Sequence, residues 1–223
     1  MGTKSKKGGG FEREICKLLS LWWSKGEHDD IFWRTAGSGG RATVRRKQGL
    51  RTADSAADMM SSHESGKPLT KFCLFEMKRG YSDRHKIVKN KKSGKLGIRK
   101  TKGGLDFLTI LDKLDKSKEP EVLGWWHKVE SERKSTGRKF SFIIFQRDKK
   151  QACIVMNKKI YDYLCKHNGS YICRHIDISF DISDRISPLV ILQLNDFLNW
   201  CKPESILFCF ISLPRQIKRR KYS

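Results

Sequence analysis

The chain has 223 residues, enough to bury a core without disulfides, and 47 Lys and Arg against 24 Asp and Glu give it a formal charge of +23. That excess points to a polyanionic partner, with nucleic acid ahead of an anionic membrane face, and no apolar run reaches the roughly 18–20 residues of a membrane span. Seven cysteines, an odd number scattered through apolar runs, fit reduced thiols and an intracellular protein better than a secreted disulfide framework.

In chain order, residues 1–10 read as a mobile basic, glycine-rich arm. Apolar Phe11, Ile15, Leu18 and Trp22 then recur at helical spacing and predict an amphipathic helix to about Ser24. "DIFWRT" reads as a short strand, and residues 41–53 as a basic loop. "ADMMSS" and "KFCLFEMK" read as a hairpin-like pair of strands around "HESGKP".

Residues 84–102 hold nine Lys or Arg and no acid, and read as a flexible loop or an extension shaped by its ligand. "GLDFLTILDKL" and "EVLGWWHKVESERK" read as helices, with Trp125 and Trp126 as core packing. "KFSFIIFQ" and "QACIVM" form a second hairpin, and "NKKIYDYLCKH" is a helix capped by Asn157 and closed before Gly169. "SYICRHIDISF" alternates like a strand. Ser187-Pro188 opens a last helix through about Cys201, "ILFCFISL" is a strand, and 215–223 is a basic tail.

The element order implies an α/β or α+β fold around a central mixed sheet. The expected organisation is an arm (1–10), a core (11–156) with basic insertions at 41–53 and 84–102, and a C-terminal α/β extension (157–223).

The chemistry concentrates in "FCLFEMKRG", residues 72–80. A glutamate inside an apolar strand is costly unless neutralised. Side chains two apart on a strand share a face, so Glu76 and Lys78 project together. Pairing with the preceding strand would bring Asp58 alongside them. Two carboxylates supply the hard oxygen ligands that suit Mg²⁺, and an amine beside them can orient water or stabilise charge on a phosphoryl group. Asp54 competes with Asp58, but only Asp58 directly precedes the apolar pair Met59-Met60.

Asp58, Glu76, Met77 and Lys78 resemble the PD-(D/E)XK nuclease signature. The ordered run "KKGGGFEREICKLLSLWW", "IFWRTAGSGG", "ADMM" and "LFEMKRG" is similar to archaeal Holliday-junction resolvases and to related phage or restriction-like endonucleases. The resemblance spans roughly residues 6–80. It implies a restriction-endonuclease-like core and a Mg²⁺-dependent DNA endonuclease in which Mn²⁺ substitutes. Asp58 and Glu76 would be metal ligands, with the Met77 carbonyl a third. Lys78 would be the catalytic lysine, and Glu12 a ligand for a second metal or water. Arg13 and Arg34 would be DNA-facing, with Ser38 on the phosphate side.

Glu14 competes with Glu12, but helix phasing sets Glu12 beside Cys16, Leu19 and Trp23, flanking the apolar stripe. Two departures stand out: Ala57 occupies the position of the signature's proline, and 19 residues separate Ser38 from Asp58. Arg41, Arg45, Arg46, Lys91, Lys92, Lys95 and Lys100 are the expected phosphate contacts. Branched or duplex DNA is the expected partner, a homodimer the expected assembly, and a prokaryotic cytoplasm or a host cell the expected location. The alternatives are a restriction-like or phage genome-processing nuclease, or a non-catalytic DNA binder on a decayed nuclease fold. Cys165, His167, Cys173 and His175 lack the usual zinc-ligand spacing and read as core thiols and ordinary histidines.

Overall fold

The structure, a computed structural model, describes residues 4–35, 57–80, 84–89, 94, 96–101, 121–171, 174–179 and 188–212. It is a mixed α/β fold. A five-stranded sheet runs in the order β3 (Cys73–Arg79), β6 (Phe140–Gln146), β7 (Ala152–Asn157), β9 (Leu189–Gln193), β8 (His175–Ile178). Only β3 and β6 are parallel, with Glu76 opposite Ile143; the remaining pairs are antiparallel. β3 is therefore one edge of the sheet.

Helices cover both faces because the strands are apolar on both. On one side α1 (Lys4–Trp23), α4 (Lys158–Asn168), α5 (Leu194–Trp200) and α6 (Pro203–Ser212) pack over the sheet. Phe11, Ile15 and Leu19 of α1 meet Cys73, Phe75 and Met77 there. On the other side α3 (Glu121–Thr136) lays Val122, Trp125, Trp126 and Val129 against Leu74, Ile143 and Phe145. The tryptophan pair is core packing, as its helical setting predicts. Alternation along β3 thus sends Phe75 and Met77 toward α1, and Leu74, Glu76 and Lys78 toward α3.

Asn157 caps α4 by accepting from the Lys159 N–H at 2.9 Å, and Gly169 ends it at φ +82°. The β6–β7 hairpin also forms as its sequence predicts.

Several expectations are corrected. Lys4–Gly10 is helical, so α1 begins well before Phe11 and the basic arm is largely its first turns. Residues 57–78 do not form a hairpin: β2 (Met59–Ser61) pairs with β1 (Phe32–Arg34), and a 3-10 turn and the short helix α2 (Lys67–Phe72) intervene before β3. Of the stretch read as a flexible loop or an extension, Arg84–Lys89 (β4) and Leu96–Thr101 (β5) pair as a two-stranded ribbon, with Lys100 opposite His85. Within the strand expected over 170–180, His175–Ile178 forms β8. Of the helix expected from Pro188 to about Cys201, Leu189–Gln193 is the strand β9 and Leu194–Trp200 is the helix α5, while Ile206–Ser212 of "ILFCFISL" lies in helix α6 rather than in a strand.

Beyond residue 156 the chain supplies β8 and β9, two of the five sheet strands. The helix expected over 104–114 and the tail 215–223 lie outside the described residues. Among those residues, no helix is long and apolar enough to cross a membrane.

Candidate active site

The candidate site lies on the side of β3 that faces away from β6, where Asp58 is bonded. Asp58 is fixed there by two bonds. Its N–H donates to the Phe75 carbonyl at 3.0 Å, and its Oδ2 accepts from the Met77 N–H at 2.7 Å. The carboxylate thus satisfies an edge N–H that would otherwise be buried without a partner. The Asp58 carbonyl in turn accepts from the Thr35 N–H at 3.1 Å, which ties the end of β1 to the same edge. Asp58 therefore reaches β3 without the hairpin its sequence suggests, and its side chain is 7% exposed.

The residue before it, Ala57, has φ +99°, a conformation that costs a non-glycine residue energy. Proline, fixed near φ −65°, cannot occupy this backbone. The departure from the signature's proline therefore follows from local geometry: the chain enters Asp58 by a turn that excludes it.

Glu76, one residue before Met77, is 4% exposed overall. Its Oε1 forms an ion pair with Lys78 and accepts a second bond from Lys128 Nζ of α3 at 3.3 Å. That answers how an acid survives in an apolar strand: two ammonium groups neutralise it. Within a strand the N–H and C=O of one residue point to the same side. The Met77 carbonyl therefore faces the open edge that its N–H shares with Asp58.

Glu12 of α1 forms an ion pair with Arg34 of β1. Register places Arg34 opposite Met59, next to Asp58. A Cβ on Gly9 would come within 3.2 Å of the Arg34 guanidinium carbon, so a glycine at this position lets α1 lie close against Arg34. Cys16, buried beneath, reports this charge cluster. Its thiol is pushed up to about 12, first by burial and then by the Glu12 and Asp58 carboxylates, with Arg34 opposing.

Of the sequence-predicted set, Glu76, Met77 and Lys78 follow one another on β3, where Asp58 is bonded to the Met77 N–H and Glu76 to Lys78, and Glu12 pairs with Arg34. Arg13 is exposed on α1, as is the competing Glu14. Ser38, Arg41, Arg45, Arg46, Lys91, Lys92 and Lys95 lie outside the described residues, as do Asp54 and Cys173. Among the described residues, no three His, Cys, Asp or Glu side chains gather as a metal-holding group. His167 lies tilted against Tyr163 with ring centroids 4.3 Å apart, and His175 against Tyr161 at 5.5 Å.

Two residues escaped sequence reasoning. Lys128 is one lysine in a chain full of them, exposed on α3 next to the buried Val129, and nothing in its local sequence marks its reach to Glu76. Thr35 is 4% exposed, and its Oγ1 has no hydrogen-bond partner among the described residues. A buried threonine ending a strand gives no local signal.

No family model, no curated protein and no solved structure matches this chain.

Proposed function

We propose that the chain is a Mg²⁺-dependent DNA endonuclease of the PD-(D/E)XK class, built on a restriction-endonuclease-like core. The observation that carries this reading is Asp58 bonded to the N–H of Met77 on β3, the residue that stands between Glu76 and its ion-pair partner Lys78. The ion implied must fit the residues present. Two buried carboxylates and an edge-facing backbone carbonyl are hard oxygen donors of the kind Mg²⁺ prefers. Glu76 has cations as partners, so the spot calls for positive charge. The unpartnered Thr35 hydroxyl, at the end of the strand that bonds Asp58, is a spare polar group of the kind such a site can use. The donor set fits.

Asp58, Glu76 and the Met77 carbonyl would hold the ion. Once bound, Mg²⁺ would lower the pKa of water and offset phosphoryl charge. The chain's own residues do the rest. The Met77 N–H orients the Asp58 carboxylate. Lys78, 21% exposed and anchored on Glu76, places an ammonium where it can orient water or stabilise developing charge. Arg34, held by Glu12, offers a guanidinium to the backbone of a bound strand.

The basic ribbon β4–β5 follows directly after β3, and a two-stranded ribbon fits the major groove of duplex DNA. Its chemistry is Lys, Arg and His, with few of the amides that read base edges. The favoured substrate is therefore DNA recognised by shape, such as a four-way junction or flap, acting in recombination. A homodimer would supply two sites for paired cuts.

The test is nicking of plasmid and of matched junction, flap and linear duplex, with Mg²⁺ against EDTA. Metal-dependent cutting near the branch that survives a change of arm sequence is the expected result. Cutting of linear duplex at one defined sequence points to the restriction-like alternative. Binding without cutting in any metal would make the protein a non-catalytic DNA binder and overturn the proposal.

A further inference from the structure

Glu76 Oε1 carries two ammonium groups but only one charge to balance them. Lys78 comes from the same strand and is 21% exposed, whereas Lys128 reaches in from α3, is 52% exposed and lies at 3.3 Å. The backbone of Lys128 is fixed, because Trp125 and Val129 beside it are buried in the core between α3 and the sheet. Its four-carbon stem leaves the ammonium free to swing. An exposed ion pair of this length is a weak tether. Of the two ammonium groups on Glu76, that of Lys128 is therefore the easier one to release.

Resting on the nuclease reading above, we propose that Lys128 is an exchangeable cation. In the ion-free protein it occupies Glu76, and when a divalent ion takes the site its ammonium swings to a non-bridging oxygen of the DNA phosphate. The consequence is a pair of effects of opposite sign. Removing Lys128 takes away a competitor for Glu76, so the DNA-free protein should bind a divalent ion more tightly. It also takes away a phosphate contact, so cleavage should weaken.

The experiment uses the full chain. Mn²⁺ affinity without DNA is measured by calorimetry, and single-turnover cleavage with Mg²⁺ is measured in parallel. The variants are Lys128→Met and Lys128→Arg, with Lys134→Met, an exposed lysine on the same helix, as the control for lost net charge. Lys128→Met should tighten Mn²⁺ binding about two- to five-fold, the range of a weak exposed pair, and slow cleavage about ten-fold or more. Lys128→Arg should keep most cleavage, and Lys134→Met should change neither quantity. Mn²⁺ affinity that is unchanged or lower in Lys128→Met overturns the exchange and leaves Lys128 a support for Glu76. A folded wild-type protein that binds no Mn²⁺ and cuts no DNA overturns the nuclease reading, and the exchange with it. The wild-type measurement therefore separates the two failures.

Discussion

Replacing Asp58 tests whether one carboxylate both caps the sheet edge and serves the chemistry. In Asp58→Ala the Met77 N–H loses its partner at 2.7 Å in a site where Asp58 is 7% exposed. A hydrogen bond to a charged group contributes about 1.5–3 kcal/mol. For a chain of this size about 1 kcal/mol moves the melting temperature by roughly 2–4 °C. Asp58→Ala should therefore melt about 3–12 °C below wild type. Asp58→Asn keeps an acceptor oxygen of the same shape and should lose about 1 kcal/mol or less, while losing cleavage as fully as the alanine variant. The assay pairs thermal melts by circular dichroism with nicking at saturating Mg²⁺. If Asp58→Ala melts with wild type, Asp58 does not cap the edge of β3, and the account of how it reaches the site fails.

Ala57→Gly relieves a backbone held at φ +99°. Strain of about 1–3 kcal/mol less about 0.5–1 kcal/mol of added chain entropy predicts stabilisation near 1 kcal/mol by urea denaturation, whereas Ala57→Pro should not fold. Glu130 accepts two bonds from Arg133 at 2.8 Å and one from Ser141 at 2.7 Å, tying α3 to β6. Burial pushes its carboxyl up, but these bonds and the Arg133 charge outweigh it and the net shift is downward. Its contribution is thus full above the unfolded carboxyl value of about 4.3 and disappears as pH falls through the lower folded value. Glu130→Gln should accordingly flatten the loss of stability between about pH 5 and 3. Cys16, pushed up to about 12, should resist alkylation at pH 8 in the native protein and react once urea exposes it; ready native labelling would contradict its burial beside Glu12 and Asp58.

The elements legible in the sequence were those whose own residues decide them. The 3.6-residue apolar period marks α1, Asn157 and Gly169 bracket α4, and "RDKK" between two apolar runs makes the β6–β7 turn. Where the sequence misled, burial on both faces had erased periodicity. In β9, Val190 and Leu192 pack on one face and Leu189 and Ile191 on the other, so the run is apolar throughout and does not alternate. "ILFCFISL" is equally continuous, and only Pro203 and Glu204 at its start signalled a helix.

At the site, the strand pair Glu76 and Lys78 was legible from period-two spacing. The partner of β2 was not, because strand pairing is a tertiary choice, and neither was Lys128, whose role depends on where α3 lies across the sheet.

The measurement that bears most directly on the central claim is single-turnover cleavage of a four-way junction by wild type, Glu76→Gln and Lys78→Met, each with Mg²⁺ and with EDTA. Wild type should cut only with Mg²⁺. Both variants should bind the junction within about three-fold of wild type, because affinity comes mainly from Lys and Arg elsewhere, and should cut at least about a thousand-fold more slowly. Full-rate cutting by Glu76→Gln, purified free of contaminating nuclease, would contradict the account.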